Sequence, residues 1–304
     1  MNLRQTEQMR DEAKGLDMQP PVAVLETLLT VQKEAVAAVA SALPALTEAA
    51  ELAANTIRAG GKLGYAAAGS SGLMALSDAL ELPGTFGIPR DRIAILFAGG
   101  AACLDDMVGG PEDDEALAER DVEAAKLGAG DCVVCVSASG STPYAVAALR
   151  RAKKNGAHTI AIANNKGAPL FDGADVAVLI PTPPEAIAGS TRMGAGTAQK
   201  IALNLFSTLM AIRLGHVHDG YMVNVKADNT KLKDRAARIV AALGDTSPAE
   251  ATNWLEQAGG SVKTAVLMAA GVESASAADR ILEHAKGSLR SALGMIKGCG
   301  DAGS

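Results

Sequence analysis

Aromatic side chains are scarce in this sequence: one Trp, three Tyr and four Phe among 304 residues. That argues against an all-β sandwich, whose strands draw on aromatic and β-branched residues. Cysteine is nearly as rare. The four present, Cys103, Cys132, Cys135 and Cys299, are too few to staple a chain this long, which excludes a disulfide-framed scaffold. Cys132 and Cys135 have C-x-x-C spacing, but they fall in an apolar run, 131–137, that reads as a buried strand. Residues three apart on a strand point to opposite faces, so a shared metal or redox pair is not expected. A basic excess is missing as well. Lys and Arg number 28 against 34 Asp and Glu and are dispersed, which leaves no cationic patch for nucleic acid. No run approaches the ~20 apolar residues of a membrane span, and the charged start, MNLRQTEQMRDEAKG, has no apolar leader. The expectation is a cytoplasmic protein with neither nucleic acid nor membrane as a partner.

What is abundant is small and apolar. The chain is 48% hydrophobic, rich in Ala, Gly, Leu and Val, and so able to bury a core of closely packed helices over a sheet. Residues 22–58 have helical periodicity with a break expected at Pro44. Short apolar runs at 62–68, 92–97, 131–137, 158–163 and 175–180 alternate with helical patterns, the longest of them 195–214. This alternation predicts an α/β fold with a doubly wound parallel sheet. Beyond Lys231 the pattern is helical throughout, at 232–243, 248–258, 261–270, 276–286 and 288–297. The expected organisation is therefore an α/β domain over 1–230, including the N-terminal helices, and a small all-helical domain over 231–304.

Two loops carry the clearest chemistry. Gly69-Ser70-Ser71-Gly72 and Ser137-Ala138-Ser139-Gly140-Ser141-Thr142 each follow a predicted strand and precede a helix. Glycine lets backbone approach a ligand closely, a helix N-terminus offers unpaired N–H groups suited to phosphate, and hydroxyls add donors without bulk. Neither loop is a dinucleotide fingerprint or a P-loop. Among the acids, Glu81 sits in an apolar neighbourhood, Asp78-Ala79-Leu80-Glu81-Leu82-Pro83, where desolvation would suit a general acid. Glu112, in Gly110-Pro111-Glu112-Asp113-Asp114, reads by composition as part of a solvated acidic helix start. The histidines (158, 216, 218 and 284) show no metal-ligand spacing, and the H-x-H at 216–218 reads as a surface loop after a long helix.

These segments resemble the N-acetylmuramic acid 6-phosphate etherase family, which carries a sugar isomerase (SIS) domain; the mammalian glucokinase regulatory protein is a relative with the same kind of domain. The likeness runs from Thr6-Glu7 to about Gly298. It is most specific in GSSGLMALSDALE (69–81), PGTFG (83–87), ASGSTPY (138–144) and GSTRMGAGTAQK (189–200), and is supported by Met222-Val223-Asn224-Val225, Asn229 and Lys231-Leu232. The resemblance implies that Glu81 and Glu112 are the catalytic pair, and that Ser70, Ser71, Ser139, Ser141, Thr142 and Ser190 hold the sugar phosphate. It also implies a homodimer and chemistry that needs neither metal nor cofactor: C2 proton abstraction, loss of a 3-O-lactyl or similar group, then addition of water. An aldose–ketose isomerase and a non-catalytic sugar-phosphate sensor are the alternatives. The chain departs from the family pattern at Leu73, Ser141 and Gly194, where cations are expected, and at Gly109 and Asn224, where acids are expected. These departures point to a divergent member.

Overall fold

The computed structural model describes residues 4–225, 227 and 230–300, with side chains through 296. Asn229 and the side chain of Cys299 lie outside the described residues. By contacts the chain forms two compact units, one of residues 1–80 and 91–209, the other of residues 81–90 and 210–304.

The first unit is built on a five-stranded parallel sheet: β1 (Leu63–Ala67), β2 (Ile93–Phe97), β3 (Cys132–Ser137), β4 (His158–Ala163) and β5 (Val176–Leu179). The order is β2-β1-β3-β4-β5. Every residue of β1 and β3 is buried, which is why these central strands read as unbroken apolar runs. At the edge, β5 alternates buried Val176 and Val178 with exposed Ala177. One face of the sheet is covered by α5 (Glu115–Ala124) and α6 (Pro143–Lys154), whose Ala118, Val122, Ala145, Ala148, Leu149 and Ala152 are buried with Ala66, Val133 and Ala161. The alanines let helix backbone approach the strands closely. Cys132 and Cys135 are buried free thiols in β3.

N-terminal to the sheet lie α1 (Pro21–Ala38) and α2 (Leu43–Arg58), separated by a 3-10 turn, Val39–Ala42. The break therefore precedes Pro44, which falls in the first turn of α2, where its missing N–H costs nothing. Alanine-rich α2 buries Leu46, Ala49, Ala50, Ala53 and Ala54. The stretch Pro21–Arg58 is also long and apolar enough to meet the compositional test for a membrane span, with mean hydropathy 1.3 over eighteen residues. The expectation that no segment reaches that level is thus corrected. Alanine supplies much of this apolarity, together with side chains that α1 leaves exposed.

Continuing along the chain, α3 (Gly69–Phe86) follows β1, α4 (Ala102–Asp105) is a single turn after β2, and α7 (Gly194–Arg213) is the longest helix. The second unit holds α8 (Thr230–Gly244), α9 (Pro248–Gln257), α10 (Val262–Ala269), α11 (Ala275–His284) and α12 (Leu289–Gly300). These helices bury Val223, Val225, Ile239, Val240, Val266 and Leu267 in a core of their own. Serines 247, 261 and 274 cap α9, α10 and α11 by accepting backbone N–H groups. A two-stranded hairpin, β6 (Val217–His218) and β7 (Tyr221–Met222), precedes them. Its turn is Asp219-Gly220 with both φ positive, the pairing that a primed hairpin turn favours. Residues 216–218 are therefore not a surface loop. His218 is buried, the His216 Nδ1 is a buried atom with no hydrogen-bond partner, and burial, with the Lys263 charge adding to it, pulls the His216 imidazole down to about 4.

Candidate active site

In a sheet of this order the chain reverses direction between β1 and β3, and ligands bind beyond the carboxyl ends of the strands at that point. The register pairs Ala67 with Val136, so the two serine segments leave the sheet from neighbouring strand ends, about 4.8 Å apart by strand spacing.

After β1 the helix begins earlier than its sequence suggests. Gly69 is already its first residue, which places Ser70 and Ser71 in the opening turn among N–H groups that have no partner within the helix. Ser71 is buried and Ser70 half-buried. Gly72 is required by packing, since a Cβ there would lie 2.6 Å from Phe97 Cε2.

After β3 the hydroxyls form a connected cluster. Ser137 Oγ accepts the Gly140 N–H at 3.0 Å and lies 2.8 Å from Thr142 Oγ1. Ser139 Oγ accepts from both the backbone N–H and the hydroxyl of Ser141, each at 3.2 Å. Gly140 has φ +67, and a Cβ on it would meet Ala168 Cβ at 2.3 Å. Thr142 occupies the N-cap of α6 without capping it, so the first-turn N–H groups keep their free donors and the positive end of the helix dipole remains unmatched.

The acids reverse their sequence-based reading. Glu112 lies in a 3-10 turn, Gly110–Asp113, and is half-buried rather than part of a solvated face. Its Oε1 stands 2.6 Å from the point where a Gly69 Cβ would be, which sets the carboxylate against the start of α3 beside Ser70. Burial, and secondarily the Asp113 charge, raises its pKa above the ordinary glutamate value. Glu81, expected to be desolvated, is exposed near the C-terminal end of α3, on an outward face that it shares with exposed Leu80, while Ala79 and Leu82 are the buried neighbours. The buried acid of that motif is Asp78 instead. It accepts from Tyr65 Oη at 2.9 Å, Ser207 Oγ at 2.8 Å and Asn204 Nδ2 at 3.0 Å, which ties α3 to β1 and α7.

Ser190 is half-buried in the turn before α7, where its N–H donates to Ile187 O at 2.9 Å. Glu185 went unnoticed in the sequence. It is a buried carboxylate that accepts the Gly194 and Ala195 N–H groups, each at 2.8 Å, and so neutralises the start of α7. A Cβ on Gly194 would lie 2.9 Å from Glu185 Oε2, so the glycine at this departure belongs to the capping arrangement. Asn224 likewise donates from Nδ2 to Phe86 O at 3.0 Å, a bond that an ionised aspartate cannot make. Ser141 is engaged with Ser139, Leu73 is half-buried on α3, and Gly109 is exposed. Among the described residues no group of three or more His, Cys, Asp or Glu is placed to hold a metal ion.

A half-buried hydroxyl cluster, uncapped helix donors and a carboxylate of raised proton affinity suit the binding of a phosphorylated polyol and the removal of a carbon-bound proton. The SIS domain family matches residues 114–209. The chain is 46% identical over 267 residues to a Deinococcus radiodurans protein named N-acetylmuramic acid 6-phosphate etherase, covering 87% of each. It is 44% identical over 263 residues to the protein of that name from Geobacillus thermodenitrificans, covering 86% of this chain and 89% of the relative. Among solved structures, a phosphoheptose isomerase from Francisella tularensis is similar, with TM-score 0.49, 19% identity and coverage of 64% of this chain and 98% of that one.

Proposed function

The chain belongs to the N-acetylmuramic acid 6-phosphate etherase family and is a carbon–oxygen lyase built on a SIS phosphosugar domain, and we propose that Glu112 and Glu81 divide its acid–base work. In this reading the substrate is N-acetylmuramic acid 6-phosphate in its open-chain form, in which the C1 carbonyl acidifies the proton at C2. Glu112 takes that proton. The C3–O bond breaks as a C2=C3 double bond forms, and Glu81 protonates the departing lactyl oxygen. Water then adds across the double bond, returning a proton to C2 and hydroxyl to C3, to give N-acetylglucosamine 6-phosphate and D-lactate.

The observation that supports this reading most directly is the seating of Glu112 against Gly69, beside the serine turn. A base held in a partly dry place keeps its proton affinity closer to neutrality, which suits abstraction from carbon. The phosphate, held by Ser70, Ser71, Ser139, Ser141, Thr142 and Ser190, acts as a remote handle that orients C2 and C3. Turnover in D2O followed by proton NMR tests the roles. Glu112→Gln is expected to abolish deuterium entry at C2, and Glu81→Gln to block lactate release, each with a rate loss of about 10²–10⁴-fold. Variants that keep near wild-type rates end the assignment. An aldose–ketose product would instead identify an isomerase.

The same reading makes the protein a homodimer in the cytoplasm. Met18, Val22, Leu25, Leu29, Val36 and Leu43 are all exposed and recur at three-, four- and seven-residue steps along α1 and its flanks, a stripe that a second copy can cover. Sedimentation velocity is expected to show a dimer that Leu25→Glu together with Leu29→Glu splits into monomers. A monomeric wild type that co-sediments with lipid vesicles overturns this and assigns the stripe to a membrane surface.

A further inference from the structure

Thr6 is fully buried. Its Oγ1 accepts from Asn165 Nδ2 at 3.1 Å, and its own N–H donates to Asn165 Oδ1 at 3.4 Å. The Asn165 amide also donates to Ala138 O at 2.9 Å, inside the hydroxyl segment that follows β3. On its other side, Thr6 O accepts the Gly189 N–H at 3.1 Å, next to Ser190, and Glu7 Oε2 lies 3.1 Å from the position of a Gly189 Cβ. One residue thus ties two segments about fifty positions apart in sequence, 138–142 and 189–190. Neither segment is held by a helix or strand of its own at that point.

We infer that Thr6 is a positioning residue. Through Asn165 it fixes the hydroxyl turn after β3, and through Gly189 it fixes the turn that carries Ser190, so that both close on one phosphate. The inference rests on the assignment of those two turns to the substrate. A turn that has lost this tie keeps its other bonds, among them Asn164 N–H to Ala138 O and Leu170 N–H to Gly140 O, and can still bind. It must, however, be ordered further when the ligand arrives, and that ordering lowers affinity more than it slows the chemistry at C2.

The test is steady-state kinetics of Thr6→Val and Thr6→Ser with N-acetylmuramic acid 6-phosphate, together with competitive inhibition by inorganic phosphate. Thr6→Val is expected to raise KM and the phosphate inhibition constant together by about tenfold, the equivalent of losing one well-placed hydrogen bond, with kcat within about threefold. Thr6→Ser keeps the oxygen and is expected to restore both. Unchanged KM and phosphate inhibition beside a lowered melting temperature would show a merely structural tie and overturn the inference. Should Thr6→Val not fold, hydrogen exchange of the wild type with inorganic phosphate decides. Protection at Gly189 and Thr191 together with Ser141 supports the tie, and protection confined to 139–142 overturns it. Phosphate protection of both turns in a protein with no etherase turnover would sink the proposed reaction while leaving the tie in place.

Discussion

Gly69 carries two constraints at once: a φ of +53 and the Glu112 carboxylate where a side chain would begin. Gly69→Ala is therefore expected to lower stability by roughly 1 kcal/mol through the backbone and, on the proposed role of Glu112, activity by about 100-fold through displacement of that carboxylate. The second loss separates this position from an ordinary turn glycine, and denaturation and kinetics on one preparation measure both. Glu112 also sets a pH signature. Its folded-state pKa is raised, so if it is the proposed base it is deprotonated only above the usual glutamate range, and the acid limb of kcat/KM is expected to fall there. Asp113→Asn removes a like charge and is expected to move that limb to lower pH; a limb that stays put would mean that another group titrates. In the stability linkage, the folded form holds this proton more tightly than the unfolded form. The carboxyl therefore adds stability at pH below its unfolded value and loses it as pH rises through the raised one. Sequence composition assigned burial to Glu81 and solvation to Glu112, and the structure shows the reverse. Apolar neighbours in sequence do not desolvate a helical residue whose face turns outward, whereas a 3-10 turn can press one member of an acidic run against a glycine far away in the chain.

Among the elements, α3 carries the serines at one end and Glu81 towards the other, and Asp78 anchors it. Asp78→Ala strands the Tyr65 hydroxyl and the Ser207 and Asn204 donors in a dry place. This is expected to cost roughly 2–4 kcal/mol in chemical denaturation; an unchanged midpoint would show that packing alone fixes the helix. The five strands and the main helices could be read from periodicity because β1 and β3 are wholly buried and the helical faces are rich in alanine. The short hairpin at Val217–Met222 escaped that reading. Two-residue strands have no period to detect, and only the Asp219-Gly220 pair announced the turn. Glu185 escaped for a similar reason: a capping carboxylate nine residues upstream of its helix leaves no local signature.

For the molecule as a whole, the second unit draws in residues well before Lys231, including 210–230. A chain ended at 230 keeps Val223 and Val225, which are 1% and 5% exposed, but loses the helices that bury them. Such a chain is expected to bind apolar dyes and to yield little soluble protein, because each uncovered valine forfeits about 1.5–3 kcal/mol; a well-behaved truncated chain would contradict this. The central sheet offers its own clock. Cys132 and Cys135 sit on opposite faces of the middle strand, and burial raises both thiols far above their normal range. An alkylating reagent can reach them only when helices on one side or the other lift away. The ratio of adducts at the two positions therefore reports which layer of the protein breathes first.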